Sequence, residues 1–426
     1  LYHPILNLGI PELVESLGYP AVTLDAVADD VGDHEVCRLF PDMYWTQGLK
    51  ILRKAMSVRK RPNLFPLMIS NFSCGPDSFV LTYFEEVCRG KPYLILELDE
   101  HGFATGYQTR IEAFLDMIEQ YSPPAGRRPA DPGRRRIRYG LSDIPRDTTV
   151  WIPQIHPYTP QMWAAVLAAR GVDARPLGAE TQAECMSGRA ACRGSECLPA
   201  AVTTGRFLEE VGSSGGDARH CLFMPRAEGP CRFGQYATLQ SLVIERKGID
   251  NAFVFSPTSE NGYAFLDRTT ELRVWEALCL GDAIFKLRCR IVPYHDRPHE
   301  AQALVDEAVG EICRMIRSGK DWKPCARELV SALNARRCTE RPRRPLVGIV
   351  GEIFVRLNLF SNQHVVETVE RHGGEAWLSP MAEWVHYVWR LLALKSPFFR
   401  GFVRRLRALY LHHVERSVMD LFAPVL

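Results

Sequence analysis

The chain has 426 residues, 46% of them hydrophobic and 24% charged. That balance fits a globular protein of two or three domains and excludes a disordered or fibrous chain. The net charge of +2 at pH 7 gives no reason to expect a nucleic-acid partner, and no apolar run reaches the length of a membrane span.

The opening Leu1-Tyr2-His3-Pro4 lacks a basic-then-apolar leader and a starting Met, so the chain is expected to be a piece of something longer. The basic clusters Arg127-Arg128, Arg134 to Arg136 and Arg341 to Arg344 lie beside prolines and read as solvated linker, with a polyanion site as the alternative. Thirteen cysteines in a chain with ample core argue for a reducing cytoplasm over a disulfide framework.

Residues 1–122 alternate helical and strand patterns. Ile10 to Leu17 reads as a short helix ending at Gly18, Ala21 to Leu24 as a strand, and Tyr44 to Val58 as a helix. Leu64 to Ile69 is a strand, Phe79 to Val87 a helix, Tyr93 to Leu98 a strand and Arg110 to Tyr121 a helix. Pro, Gly and charge mark 123–148 as a linker. In 149–340 the expected strands are Val150 to Ile155, Ala174 to Leu177, His220 to Met224 and Ala252 to Phe255, with a helical extension after residue 264. In 341–426 a strand from Leu346 and another from Glu375 flank a helix from Asn362 to His372, before further helix. The fold class expected is α/β: repeated Rossmann-like or flavodoxin-like domains with mostly parallel sheets, plus a helical segment.

Asn7 to Val22 can be laid on Asn362 to Trp377 without a gap, with six identities in 16 positions. A short helix ending in Gly before a strand explains part of this; a duplicated unit explains it better. Residues 1–122 then form the end of one unit and the remainder most of another.

Three cysteine stretches carry the candidate chemistry. Cys74 lies in Asn71-Phe72-Ser73-Cys74-Gly75-Pro76-Asp77, a turn between a strand and a helix. Cys197 lies in Ser195-Glu196-Cys197-Leu198-Pro199, at a helix start. Cys231 lies in Gly229-Pro230-Cys231-Arg232-Phe233-Gly234, just after a strand. A helix start lowers a thiol pKa, and open α/β sheets place ligands at strand ends. A buried small thiol is the plain alternative at each position. Widely spaced thiolates of this kind suit an iron–sulfur cluster; the Cys-x-x-Cys pairs usual for zinc are absent.

Weaker signals remain. Cys185 and Cys192 read as free thiols. Glu97, Asp99, Glu100 and His101 crowd one strand end, either as general acid/base groups or as a polar loop. His295 and His299 read as surface histidines more readily than as a metal pair. Gly348-Ile349-Val350-Gly351 lacks the third glycine of a dinucleotide fingerprint, and no phosphate loop for ATP is present.

Together these motifs resemble the large proteins called CoA-substrate-specific enzyme activases, relatives of 2-hydroxyacyl-CoA dehydratase subunits and double-cubane cluster proteins. The matching stretches are Tyr2 to Leu8, Met43-Tyr44-Trp45, Asn71 to Phe79, Leu96 to His101 and Thr109 to Asp116. Glu196 to Pro199, Gly229 to Tyr236 and Val347 to Glu352 complete them, in the family's order. The resemblance implies an iron–sulfur cluster, [4Fe-4S] or double-cubane, with Cys74, Cys197 and Cys231 as ligands. It implies an ATP-hydrolysing activase module, in cis or in trans, as electron donor, and an acyl-CoA substrate. A homo-oligomer is also compatible. The nucleotide-binding motifs of that module and the first unit's earlier cysteine motifs are absent. Cys74 is therefore expected either to lack partners or to face Cys197 and Cys231 across a pseudo-twofold interface. A cluster-free scaffold and a zinc-binding α/β protein are the competing expectations.

Overall fold

The computed structural model describes residues 7–102, 104–122, 136–214, 218–258, 267–335, 342–396 and 398–423. The fold is α/β, and among the described residues every paired strand runs parallel to its neighbour. The chain divides into two compact units. The first comprises Leu1–Arg136, Arg189–Cys197 and Glu228–Arg246; the second comprises Ile137–Gly188, Leu198–Ala227 and Lys247–Leu426. Two segments from inside 149–340 thus belong to the first unit. The linker expected over 123–148 falls partly outside the described residues, and its remainder includes strand β3, Ile137–Arg138.

In the first unit, β1 (Leu67–Asn71) and β2 (Leu94–Leu98) pair in register from Leu67↔Leu94 to Asn71↔Leu98. The crossover helix Asp77–Cys88 buries Phe79, Val80, Leu81, Tyr83 and Phe84. With Ser78 and Thr82 buried beside these apolar side chains, the middle of the helix is a core element. Tyr107, Ile111 and Leu115 of helix Ala104–Glu119 cover Leu96 and Leu98 of β2.

The segment Ala21 to Leu24, expected as a strand, is extended chain entering a 3-10 turn, Leu24–Ala26. The echo explains why. Leu8 and Gly9 have φ of 53° and 69°, the helix runs Ile10–Ser16, and Gly18 has φ 92°. At the equivalent positions, Gln363 and His364 both have φ 54°, the helix runs Val365–Arg371, and Gly373 has φ 83°. The backbones match residue for residue. In the later copy the chain then forms β9 (Glu375–Leu378), because β8 (Leu346–Ile349) pairs with it. Among the described residues Ala21 to Leu24 has no such partner, and a strand without one leaves its N–H and C=O groups to water, so this segment stays irregular.

The second unit holds a five-stranded parallel sheet of β3, β4 (Thr148–Ile152), β5 (Asp173–Pro176), β6 (Arg219–Phe223) and β7 (Ala252–Phe255). Its spatial order is β3-β7-β6-β4-β5. The chain moves outward from β4 to β5 and then returns to the other side at β6, which is the Rossmann-like reversal of winding. Val150, Ile152, Cys221, Phe223 and Phe255 pack with the long helix Arg268–Ile291 in one apolar core.

A buried polar pair organises the helices of this unit. Asp282 accepts the backbone N–H groups of Met381 and Ala382, both at 2.9 Å, and so caps helix Ala382–Leu394. The Nδ1 of His156 accepts the N–H groups of Tyr158 and Thr159, leaving the proton on Nε2, which stands 3.5 Å from Asp282. Burial pushes the His156 imidazole down to about 3 and the Asp282 carboxyl up to about 7.

Helices Gln182–Ala191 and Leu198–Ser213 cross at two glycines. A Cβ on Gly205 would lie 1.8 Å from the Glu184 carbonyl oxygen, and one on Gly188 would lie 1.9 Å from that of Ala201. Gly205→Ala therefore forces the backbones apart. It should cost about 1–3 kcal/mol, as overpacking does, measured as a lower urea midpoint with unchanged slope. An unchanged midpoint would show that the helices do not meet there.

Candidate functional site

The three candidate cysteines are all residues of the first unit. Sequence reasoning assigned Cys74 to one domain and Cys197 with Cys231 to another. One compact unit holds all three.

Cys74 sits where β1 ends. The N–H of Phe72 still reaches the Leu98 carbonyl at 2.8 Å, after which Ser73 takes φ 60° and turns the chain. The Cys74 N–H then closes on the Asn71 carbonyl at 3.0 Å. Ser70 donates its hydroxyl to Asp77 at 2.5 Å and Ser78 donates to the Gly75 carbonyl at 2.7 Å, fixing both sides of the turn.

Cys197 is held through Glu196, which is buried. Its carboxylate accepts the Thr82 hydroxyl at 2.9 Å and the N–H groups of Arg193 and Gly194 at 3.2 and 2.9 Å. Thr82 lies on the helix that starts after Cys74, so the two cysteine segments share one support. Arg193 adds ion pairs to Glu85 and, at 3.4 Å, to Glu97.

Cys231 is exposed and precedes a 3-10 turn, Arg232–Gln235, which runs into helix Tyr236–Arg246. Tyr44 donates to its carbonyl at 3.3 Å, and the Trp45 indole N–H donates to the Gly229 carbonyl at 3.0 Å. Deeper in, buried Gln235 donates to the Asp42 carbonyl, Thr238 donates to the Asp42 carboxylate at 2.6 Å, and Tyr83 donates to the Gln235 carbonyl at 3.1 Å.

Arg232 and Tyr236 join the three segments. The Arg232 guanidinium lies over the Cys74 turn, 3.5 Å from where a Cβ on Gly75 would stand. The Tyr236 hydroxyl is 2.7 Å from the Cys197 sulfur, and its ring stacks on Phe79 with centroids 5.8 Å apart. Burial pushes the Cys74 thiol up, opposed by the Asp77 N–H and by Arg232. Burial also pushes the Cys197 thiol up, opposed by Tyr236 and Arg232 and reinforced by the nearby Cys231. This corrects the expectation for Cys197 that a helix start lowers the pKa; desolvation outweighs it. Both thiols wait as neutral S–H, and a cation must displace the protons to bind.

The sulfurs of Cys74, Cys197 and Cys231 do not all lie within 4.8 Å of one another. Among the described residues that spacing is met by His386, His412 and Glu415. One zinc ion with Zn–S bonds of about 2.3 Å would bring its sulfurs to about 3.8 Å. Each cysteine on a cubane cluster binds a different iron, so its sulfurs stand farther apart. The observed spacing therefore does not match a single zinc ion held by all three cysteines.

The other candidates fall out as follows. Glu97 is drawn to Arg193. Asp99 accepts the His101 N–H at 3.1 Å in a turn at the end of β2, where Glu100 and His101 are both exposed, 3.7 Å apart. The carboxyl ends of β1 and β2 lie side by side, so this turn neighbours the Cys74 turn. Cys192 is half-buried and pushed up to about 12 by burial, and Cys185 is buried against Val202 and Phe354; both are free thiols. His295 is buried with Nδ1 accepting the Arg297 N–H, whereas His299 is exposed. Only one of them is therefore a surface histidine. After Gly351, Glu352 caps the next helix by accepting the Val355 N–H at 2.8 Å, which takes the place a phosphate would use. Sequence reasoning missed Arg232 and Tyr236 as organising groups, and it missed the His386, His412 and Glu415 cluster. The three-residue spacing of His412 and Glu415 on one helix was the available signal.

No family model, curated protein or solved structure matches this chain. Fold and site together define an α/β protein with parallel sheets and three motif cysteines in one compact unit. No helix among the described residues is long and apolar enough to cross a membrane.

Replacing Arg232 by Gln removes the charge that opposes burial at two thiols. The alkylation pKa of both Cys74 and Cys197 should rise, and their labelling by iodoacetamide at pH 8 should slow several-fold, followed by peptide mass spectrometry. Slowing at one cysteine alone would mean that the guanidinium does not serve both.

Proposed function

We propose that this chain is an iron–sulfur redox protein of the 2-hydroxyacyl-CoA dehydratase and activase type. In this role it takes low-potential electrons from an ATP-hydrolysing module and passes them to a substrate of the acyl-CoA class. The observation that carries the proposal is the gathering of Cys74, Cys197 and Cys231 in one compact unit about Arg232. The electron donor and the thioester come from the sequence resemblance alone. All described cysteines are free, which suits a reducing cytoplasm.

The cluster supplies one-electron transfer at low potential when bound. The remaining chemistry belongs to this chain. Cys74, Cys197 and Cys231 would hold the cluster through their sulfurs. Arg232 offsets the negative charge that thiolates and added electrons create. Tyr236 donates to the Cys197 sulfur once that sulfur is deprotonated, which favours the reduced state in the same direction. The turn with Asp99 and His101 borders the site and offers a proton acceptor to a bound substrate.

Anaerobically purified protein should be brown, with iron and sulfide in near-equal amounts. Cys74→Ser, Cys197→Ser and Cys231→Ser should each lower iron content by more than half, while Cys325→Ser should leave it unchanged. Colourless protein without iron after reconstitution would eliminate the proposal and leave the cluster-free scaffold. Iron that survives all three substitutions would remove the ligand assignment.

A further inference from the structure

The second unit carries a separate group of ligand atoms on its last two helices, Ala382–Leu394 and Phe398–Met419. His386 comes from the first of them. His412 and Glu415, three residues apart, share one face of the second. The His386 Nε2 lies 2.7 Å and the His412 Nδ1 3.2 Å from the same carboxylate oxygen, Oε2 of Glu415. All three ligand atoms lie within 4.8 Å of one another.

The surroundings fix this group in place. Helix Ala382–Leu394 is anchored at its start by buried Asp282. Trp275 meets the His386 ring edge-on, with centroids 5.2 Å apart at 89°. Its indole N–H donates at 2.9 Å to the carbonyl of Leu411, the residue before His412. One tryptophan therefore braces both elements that carry the imidazoles. His386 and Glu415 are half-buried and His412 is exposed, which gives an entry path and leaves a solvent-facing side.

We propose that His386, His412 and Glu415 form a site for a divalent ion of the zinc class, with water completing the coordination. Two imidazoles and one carboxylate are the donor set of zinc and its borderline neighbours. Calcium and magnesium prefer all-oxygen shells and are excluded by the two nitrogens. The ion pins the two C-terminal helices to each other and keeps one position open. This site is independent of the cysteine cluster, since its ligands are neither thiols nor residues of the first unit.

The test is titration of the metal-stripped full chain with cobalt(II), followed by visible spectroscopy. Cobalt on nitrogen and oxygen ligands gives d–d bands without the sulfur-to-cobalt absorption that thiolates produce. Wild type should bind one such ion per chain, displaceable by zinc. His412→Ala, at an exposed position that leaves the Trp275 packing intact, and Glu415→Gln should each weaken binding at least tenfold. Equal binding by both variants, or cobalt bound solely with sulfur-to-cobalt bands, would overturn the site.

Discussion

The Glu196 carboxylate is the constraint on which the candidate site rests. A buried carboxylate is costly unless its oxygens are hydrogen-bonded. Here they accept Thr82, Arg193 and Gly194 together, so the segment ending in Cys197 has one low-energy place, against the helix that begins after Cys74. Buried Gln235 imposes the same logic on the segment carrying Cys231, through Asp42 and Tyr83. Leaving one such group unsatisfied costs about 1–3 kcal/mol. Polar groups distant in sequence therefore hold the three cysteine-bearing segments in one compact unit.

This arrangement also sets the chemistry. The same burial that rigidifies the segments raises the thiol pKa values of Cys74 and Cys197. Arg232 and Tyr236 counter that rise without abolishing it. A thiol held in this state is inert toward mild electrophiles and becomes a strong ligand once a metal takes the proton. The raised pKa values make Cys74 and Cys197 poor nucleophiles at neutral pH.

Much of the fold was legible in the sequence. The strands at Leu94 to Leu98, Ala252 to Phe255 and Glu375 to Leu378 follow from short β-rich apolar runs bounded by turn residues, and the structure places them within a residue of expectation. The Asn7 and Asn362 echo foretold two backbones that agree down to their positive φ angles. What the sequence concealed is tertiary. Among the described residues, Ala21 to Leu24 has strand composition but no ladder partner. Residues 189–197 and 228–246 lie within the second α/β pattern, yet their polar side chains find partners in the first unit. Arg232 looked like a neighbour of a motif cysteine; its reach over Gly75 exists only in three dimensions. His386 gave no sign at all, because its ligand partners stand on a different helix.

The central claim is that Cys74, Cys197 and Cys231 bound one cofactor site. A crystal structure of the anaerobically reconstituted chain, with anomalous data collected at the iron edge, tests this most directly. The account predicts iron density bordered by those three sulfurs and lying beside Arg232. Iron density elsewhere, with the three cysteines unliganded, would contradict it.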